Sequence, residues 1–182
     1  MVQIAWGVII IRIGKLTIDG YYNYGNLLQN YALQEILLKY ADSVETIWHG
    51  KNNFMPDVLS HWSWKEHVKY ILNYCGFRNQ LQNGYIGREM VRQGKLKDWS
   101  DRYIQTRLGV KNLKDIAEDY DYFVVGSDQV WNPYFGDLKN NFLSFAPFEK
   151  RIAYAASIAS PDIPEEKVEL YRQGLKGMKW IS

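Results

Sequence analysis

The sequence predicts an α/β fold with a mostly parallel sheet, on three observations. Short, β-branched runs that end at glycine are typical of buried strands. After the first of these runs and a turn, apolar residues recur at the three- to four-residue spacing of a helix. A second strand pattern follows that helix within the roughly 30 to 40 residues that one βαβ unit occupies. We therefore expect parallel strands joined by right-handed crossovers.

The first βαβ unit lies near the amino terminus. Residues 7–13 (GVIIIRI) indicate a buried strand, which residues 16–18 either extend or replace. Residues 19–25 carry the glycine and asparagine of a turn. The helical pattern then covers residues 26–40, and the alternation over residues 44–48 predicts the second strand.

Later segments of the chain show helix and strand patterns of the same kind. Three further helices are predicted, followed by two more buried strands and a helix that Pro164 opens from its first turn. The predicted elements are helices over residues 61–75, 89–105 and 112–119, a strand over 122–125 that stops at Gly126, a strand over 151–158, the helix that begins at Pro164, and the start of a strand over 178–182.

Composition and charge exclude several classes of protein. The chain has 182 residues, of which 15% are aromatic, so it is long enough and apolar enough for one domain with a sizeable core. Its 22 Lys and Arg nearly balance 20 Asp and Glu, which gives no reason to expect a nucleic acid partner. Cys75 is the only cysteine, so an intramolecular disulfide is excluded.

No membrane or export segment is apparent in the sequence. The most apolar stretch, residues 4–13, is interrupted by Arg12 and is shorter than the ~20 residues of a membrane span. It also lacks the basic region and the cleavage site of a signal peptide. We therefore expect no membrane span and a cytoplasmic location.

Two loops follow predicted strands, at the sheet edge where α/β proteins bind ligands. In the first loop, residues 19–26, Gly25 allows a close approach of the backbone to a ligand. Asn26 and Gln29 have the spacing of a capping box, so the helix is expected to begin at Asn26 and to offer free N–H groups to an anion. A capped turn without a ligand is the alternative.

The second loop, residues 126–132, places a hydroxyl and a carboxylate directly after a strand. Asp128 could act as a general base toward a sugar hydroxyl or accept a hydrogen bond from it, next to Ser127. Trp131 could stack on a sugar ring. The alternative is that Asp128 caps a turn and Trp131 fills the core.

Other common catalytic signatures are missing from the sequence. His49, His61 and His67 do not have the spacing of a metal site. There is no Gly-x-Ser-x-Gly elbow, no dinucleotide fingerprint and no Walker loop.

Three segments together resemble the polysaccharide pyruvyl transferase family. They are residues 23–34 (NYGNLLQNYALQ), 120–132 (YDYFVVGSDQVWN) and 150–157 (KRIAYAAS). The resemblance implies two Rossmann-like domains, as in GT-B glycosyltransferases, with the site in the cleft between them. It also implies transfer of a pyruvyl group from phosphoenolpyruvate to a saccharide, as a ketal across two hydroxyls, for a surface polysaccharide. The resemblance thus implies phosphoenolpyruvate as the donor substrate, and no cofactor is expected.

Under this resemblance, residues 1–182 are a single Rossmann-like domain that corresponds to the N-terminal half of the two-domain enzyme. The cationic groups for phosphoenolpyruvate would come from the C-terminal half. Because residues 178–182 look like the beginning of a strand, we expect a truncated chain that is inactive alone. Residues 1–13 extend beyond the usual start of the family and have no explanation.

The resemblance also yields a set of candidate site residues. Asp128 is the candidate catalytic residue, and the candidate substrate-binding residues are Asn23, Tyr24, Gly25, Asn26, Gln29, Gly126, Ser127, Gln129 and Trp131. The expected partners are phosphoenolpyruvate and a saccharide acceptor, with self-association through an exposed cleft surface. Two alternatives remain open: half of a GT-B-type glycosyltransferase, and a non-catalytic module that binds saccharides or nucleotides.

Overall fold

The computed structural model describes residues 10–18, 20–21, 23–48, 85–134 and 137–182, with the backbone alone for residues 85–87 and 90. The predicted helix over residues 61–75, Cys75, the three histidines and the first part of the predicted strand 7–13 lie outside these ranges.

Six strands and four α-helices make up the described part of the chain. In order they are β1 (Arg12–Leu16), α1 (Tyr24–Leu37), β2 (Ser43–Ile47), α2 (Tyr85–Tyr103), β3 (Thr106–Arg107), β4 (Tyr122–Asp128), α3 (Leu138–Asn141), β5 (Arg151–Ala156), α4 (Glu165–Lys176) and β6 (Trp180–Ile181). Short 3-10 turns at Leu113–Ile116 and Phe148–Lys150 precede β4 and β5.

The six strands form one sheet in the order β3-β2-β1-β4-β5-β6. Every neighbouring pair is parallel. This is the strand order of a doubly wound, Rossmann-like sheet. The predicted fold class, an α/β fold with a mostly parallel sheet, is confirmed.

The chain divides into two compact units. The first, which we call the sheet unit, comprises Met1–Ile18, Gln29–His49 and Ile104–Ser182 and contains all six strands. The second unit comprises Asp19–Leu28 and Gly50–Tyr103, and α2 belongs to it. Helix α1 begins in the second unit and continues into the sheet unit.

The core of the sheet unit lies on both faces of the sheet, because successive strand residues point to opposite faces. On one face α1 covers a small cluster formed by Ile13, Leu33, Val44 and Val124. The other face carries the larger cluster, which includes Leu16, Phe123, Phe142 and Tyr171. A sheet covered on both faces leaves its edges and strand ends for function.

Several predicted boundaries shift in the structure. β1 occupies Arg12–Leu16, later than residues 7–13, and α1 begins at Tyr24 and ends at Leu37. β4 continues past Gly126 as far as Asp128, so the second predicted loop starts inside a strand. No described helix is long and apolar enough to cross a membrane.

Candidate functional site

The strand order reverses between β1 and β4, the two central strands of the sheet. From there β2 and β3 extend the sheet on one side, and β5 and β6 extend it on the other. Leu16, the last residue of β1, pairs with Val125 of β4. Both strands therefore end at the same edge. In doubly wound sheets, ligands bind beyond the carboxyl ends of the strands at such a switch point, so the carboxyl end of β4 is the candidate site.

Strained backbone concentrates at this edge. Asp128 has a φ of 75°, and Ala155 and Ala159 each have a φ of 47°, in the left-handed region that non-glycine residues rarely adopt. The ends of β4 and β5 are joined there, since the N–H of Ser157, the residue after β5, donates to the Asp128 carbonyl oxygen at 2.8 Å. Each such residue costs on the order of 1–3 kcal/mol, and such costs cluster at functional sites.

The Asp128 carboxylate is half-buried and has one oxygen engaged locally. Its Oδ1 accepts the N–H of Gln129 at 2.8 Å. Its Oδ2 accepts no hydrogen bond from any residue that the structure describes. Ser127, also half-buried, precedes it in the strand. The second carboxylate oxygen is therefore available to a hydroxyl group that approaches the strand end.

Gly126 is required by its neighbour in the sheet. Its φ is 122°, and a Cβ atom there would lie 2.0 Å from the carbonyl oxygen of Tyr154 in β5. No side chain fits in that space. The residue was predicted to bind substrate, and the structure gives it a packing role between β4 and β5; the binding role stays a prediction.

Residues 129–134, which we call the β4 turn, are held by their own side chains and by the next loop. The Asn132 N–H donates to the Gln129 carbonyl oxygen at 3.0 Å. The Asn132 side chain, 5% exposed, donates to Gln129 Oε1 at 3.1 Å and to the Ala159 carbonyl at 3.4 Å. Its Oδ1 accepts the N–H of Tyr134 at 2.9 Å. The predicted ligand-binding carboxamide of Gln129 thus also fixes the turn.

Trp131 fills the core. Its side chain is 4% exposed and its ring stacks on Phe142, with centroids 5.1 Å apart and planes 24° apart. Its Nε1–H donates to the Asn141 carbonyl at 2.9 Å, and the Trp131 carbonyl oxygen accepts the hydroxyl of Tyr171. The buried ring offers no exposed face to a sugar. The prediction of a stacking role for Trp131 is corrected accordingly.

The amino terminus of α1 is capped by a residue other than the predicted one. The Asn23 side-chain oxygen accepts the N–H of Gly25 at 2.8 Å, and the Asn23 carbonyl accepts the N–H of Leu27 at 3.3 Å. Asn23 is therefore the N-cap. The capping box of Asn26 and Gln29 is wrong, because Asn26 already lies inside the helix.

The other predicted residues of this helix start are now placed. Tyr24 is 65% exposed, Gly25 and Asn26 are partly buried in the first turn, and Gln29 is exposed one turn further on. Residues 23–26 lie in the second unit, whereas Gly126, Ser127, Asp128, Gln129 and Trp131 lie together in the sheet unit.

The first strand carries a buried lysine that the sequence patterns do not predict. Lys15 of β1 is 0% exposed, and its Nζ donates to the Asn30 carbonyl of α1 at 2.6 Å. The Asn30 side-chain oxygen accepts the hydroxyl of Thr46 at 3.0 Å. Burial lowers the pKa of Lys15 from 10.5 to about 7, and the nearby charge of Glu35 opposes this effect. The only signal in the sequence is a lysine between apolar strand residues.

No metal site is found in this part of the chain. Among the described residues, no three His, Cys, Asp or Glu side chains are grouped so that they could hold a metal ion.

Comparison with known proteins connects these segments to one family. A family model described as polysaccharide pyruvyl transferase matches residues 23–182. The chain belongs to the polysaccharide pyruvyl transferase family. The match includes the capped start of α1, the strained end of β4 and the β4 turn. Searches of curated proteins and of solved structures returned no match. Membership of the polysaccharide pyruvyl transferase family indicates a function of that kind, with a saccharide as acceptor.

Proposed function

We propose that this protein binds phosphoenolpyruvate and a saccharide and takes part in pyruvyl transfer between them, with Asp128 at the reacting hydroxyl. The single observation that supports this most is the strained strand end at the switch point, which lies within the segment matched by the family. A carboxylate with one available oxygen is present there.

The proposed reaction converts an enol phosphate into a ketal. A proton is added to the methylene carbon of phosphoenolpyruvate, which becomes a methyl group and leaves C2 electron-poor. One sugar hydroxyl adds to C2 and loses its proton. A second hydroxyl of the same sugar then forms the second C–O bond as the C–O bond to phosphate breaks, so that inorganic phosphate leaves with the remaining proton.

Asp128 suits the proton-accepting part of this scheme. Its Oδ1 is held by the Gln129 N–H, which fixes the carboxylate and leaves Oδ2 to accept a hydroxyl proton. The bonds that fix the β4 turn also hold the position of this side chain, and preorganised groups are what such a step requires.

The start of α1 suits an anion. The free N–H groups of a helix amino terminus favour a phosphate or a carboxylate, and phosphoenolpyruvate carries both. Because Asn23 occupies the N–H of Gly25, the neighbouring N–H groups of the first turn are the ones available to a ligand. We assign Asn23, Tyr24, Gly25, Asn26 and Gln29 to ligand contact within this proposal.

The first test measures whether this chain binds each of the two proposed substrates. Phosphoenolpyruvate, a uridine diphosphate sugar and a panel of methyl hexosides with neighbouring hydroxyls are titrated separately by calorimetry and by saturation-transfer NMR. We expect phosphoenolpyruvate and at least one hexoside to bind. Binding of the nucleotide sugar without phosphoenolpyruvate would instead favour the glycosyltransferase alternative.

The variant Asp128→Asn tests the role of the carboxylate. Loss of a charged hydrogen bond, worth about 1.5–3 kcal/mol, predicts a 10- to 100-fold weaker hexoside affinity, with phosphoenolpyruvate binding unchanged. Asp162→Asn is the matched control, since Asp162 is an exposed carboxylate of the same unit. Hexoside binding that survives the Asp128 substitution would favour a non-catalytic binding module. Transfer itself is measured as ketal formation, which is detected by the NMR signal of the ketal methyl group and by the release of phosphate.

A further inference from the structure

The β4 turn exposes an aromatic ring other than the predicted one. Tyr134 is 66% exposed, whereas Trp131 is buried in the core. The backbone of Tyr134 is fixed, because its N–H donates to the buried Asn132 side chain at 2.9 Å. An exposed ring on a fixed backbone loses little conformational entropy when it binds, and such rings are favoured in binding sites.

A lysine of α4 lies against the same turn. The Lys167 ammonium donates to the Pro133 carbonyl oxygen and lies 5.9 Å from the centre of the Tyr134 ring. It therefore covers one side of the ring, at the outer limit of a cation–π contact. No other described ring or cation contacts Tyr134. Two thirds of the residue is nevertheless exposed, which leaves ring surface for a ligand.

Tyr134 is within reach of the candidate reaction centre. It lies six residues after Asp128 in the chain, and the hydrogen bond from Asn132 to Gln129 closes a turn between them. A closed turn brings its ends within about 7 Å. The two Cα atoms are consequently at most roughly 18 Å apart. One oligosaccharide of a few rings spans that distance.

We propose that Tyr134 stacks on a ring of the acceptor saccharide, through the side of its ring that faces away from the Lys167 ammonium. This subsite rests on the proposed function, since it binds the acceptor of that reaction. Tyr134 is a binding residue here and takes no part in proton transfer. The β4 turn thereby connects the carboxylate that activates the hydroxyl to the ring that holds the sugar.

The test compares Tyr134→Ala with Tyr134→Phe by saturation-transfer NMR and calorimetry. Its ligands are methyl glycosides of di- and trisaccharides built from the same hexoses, called hexosides here as well, because one ring does not span the distance to Asp128. The alanine variant loses both the stacked ring and the area that the ring buries, so it should bind roughly 5- to 10-fold more weakly. The phenylalanine variant keeps the ring and should stay within two-fold of wild type. Lys167→Met should weaken binding by less than Tyr134→Ala.

The matched control is Tyr40→Ala. Tyr40 is 74% exposed and lies near the amino ends of the strands, where the N–H of Asp42 bonds to the Ile11 carbonyl. This variant should bind hexosides like wild type. Unchanged melting temperatures show that all variants are folded.

The outcomes separate this inference from the proposed function. Hexoside binding that Tyr134→Ala leaves unchanged overturns the subsite, and so does the absence of binding by every hexoside. Phosphoenolpyruvate affinity should not change in any of these variants. If the hexosides bind through Tyr134 but phosphoenolpyruvate does not bind at all, the subsite stands and the proposed function fails.

Discussion

Replacing Lys15 with methionine is expected to stabilise the protein at neutral pH and to change how its stability depends on pH. Lys15 is 0% exposed, and burial lowers its pKa from 10.5 to about 7. Between these two values the unfolded chain binds a proton that the folded chain does not. The free energy of unfolding therefore rises with pH across this window, by up to about 1.4 kcal/mol per pH unit.

The size of the effect follows from the same shift. At pH 7 the burial of this lysine costs about 4 kcal/mol. Methionine has a similar length and carries no charge, so it removes that cost. It also removes the hydrogen bond to Asn30, and this loss offsets about 1 kcal/mol of the gain in stability. Lys15→Met should thus gain roughly 2–3 kcal/mol at pH 7 and lose the gain toward pH 10.5.

Urea unfolding of wild type and Lys15→Met at pH 7, 8, 9 and 10 measures this difference. Groups that titrate in both proteins cancel in the comparison. Lys39→Met is the matched control, because it removes an exposed lysine two residues after α1 and should change the free energy of unfolding by no more than about 0.5 kcal/mol. A difference between wild type and Lys15→Met that stays constant from pH 7 to 10 refutes the reasoning.

Three further substitutions test features of the fold. Gly126→Ala places a Cβ 2.0 Å from a carbonyl oxygen of β5, so urea unfolding should show a loss of about 3 kcal/mol or more; a loss below 1 kcal/mol contradicts this. Tyr120→Phe removes a hydroxyl that donates to Glu45 at 2.7 Å. Burial raises the pKa of Tyr120 to about 12, so the stabilising effect of this residue is full below pH 10 and lost as pH rises to 12. The wild-type advantage over Tyr120→Phe should therefore shrink across that window, and an advantage that grows there would be inconsistent with a buried phenol. Asn23→Ala should cost about 1 kcal/mol as a lost helix cap in thermal unfolding, more than Asn26→Ala; the reverse order would restore Asn26 as the cap.

Strands with strong local patterns were predictable, and short elements were not. The alternation over β2 and the apolar run of β4 predict strands, because periodicity reflects burial. β3 has two residues and α3 has four, which is too few for any period. The placement of β1 depended on packing: a Cβ on Gly14 would lie 2.6 Å from Ile47 Cδ1. Close contact between strands thus decides where this glycine lies.

The position of the candidate site was predictable, and several roles in it were not. Asp128 follows a recognisable buried strand, and strand ends are where such sheets bind ligands. Trp131 suits a core and a sugar site equally well in the sequence, and only its contact with Phe142 decides between them. The cap could be Asn23 or Asn26 by spacing alone, and the hydrogen bond from the Gly25 N–H to the Asn23 side chain identifies Asn23.

The central pairing of the sheet also has a consequence for folding. β1 pairs with β4 across more than a hundred residues of chain, and the Arg12 N–H bonds to the Asp121 carboxylate at 2.7 Å across a separation of 109 residues. Such distant contacts are slow to form, because a long loop must close first. On the ribosome, β1, α1 and β2 are complete long before β4 has been synthesised. Until then the edge of β1 that pairs with β4 has no partner strand. We therefore expect a nascent-chain stage at which this edge is exposed to chaperones.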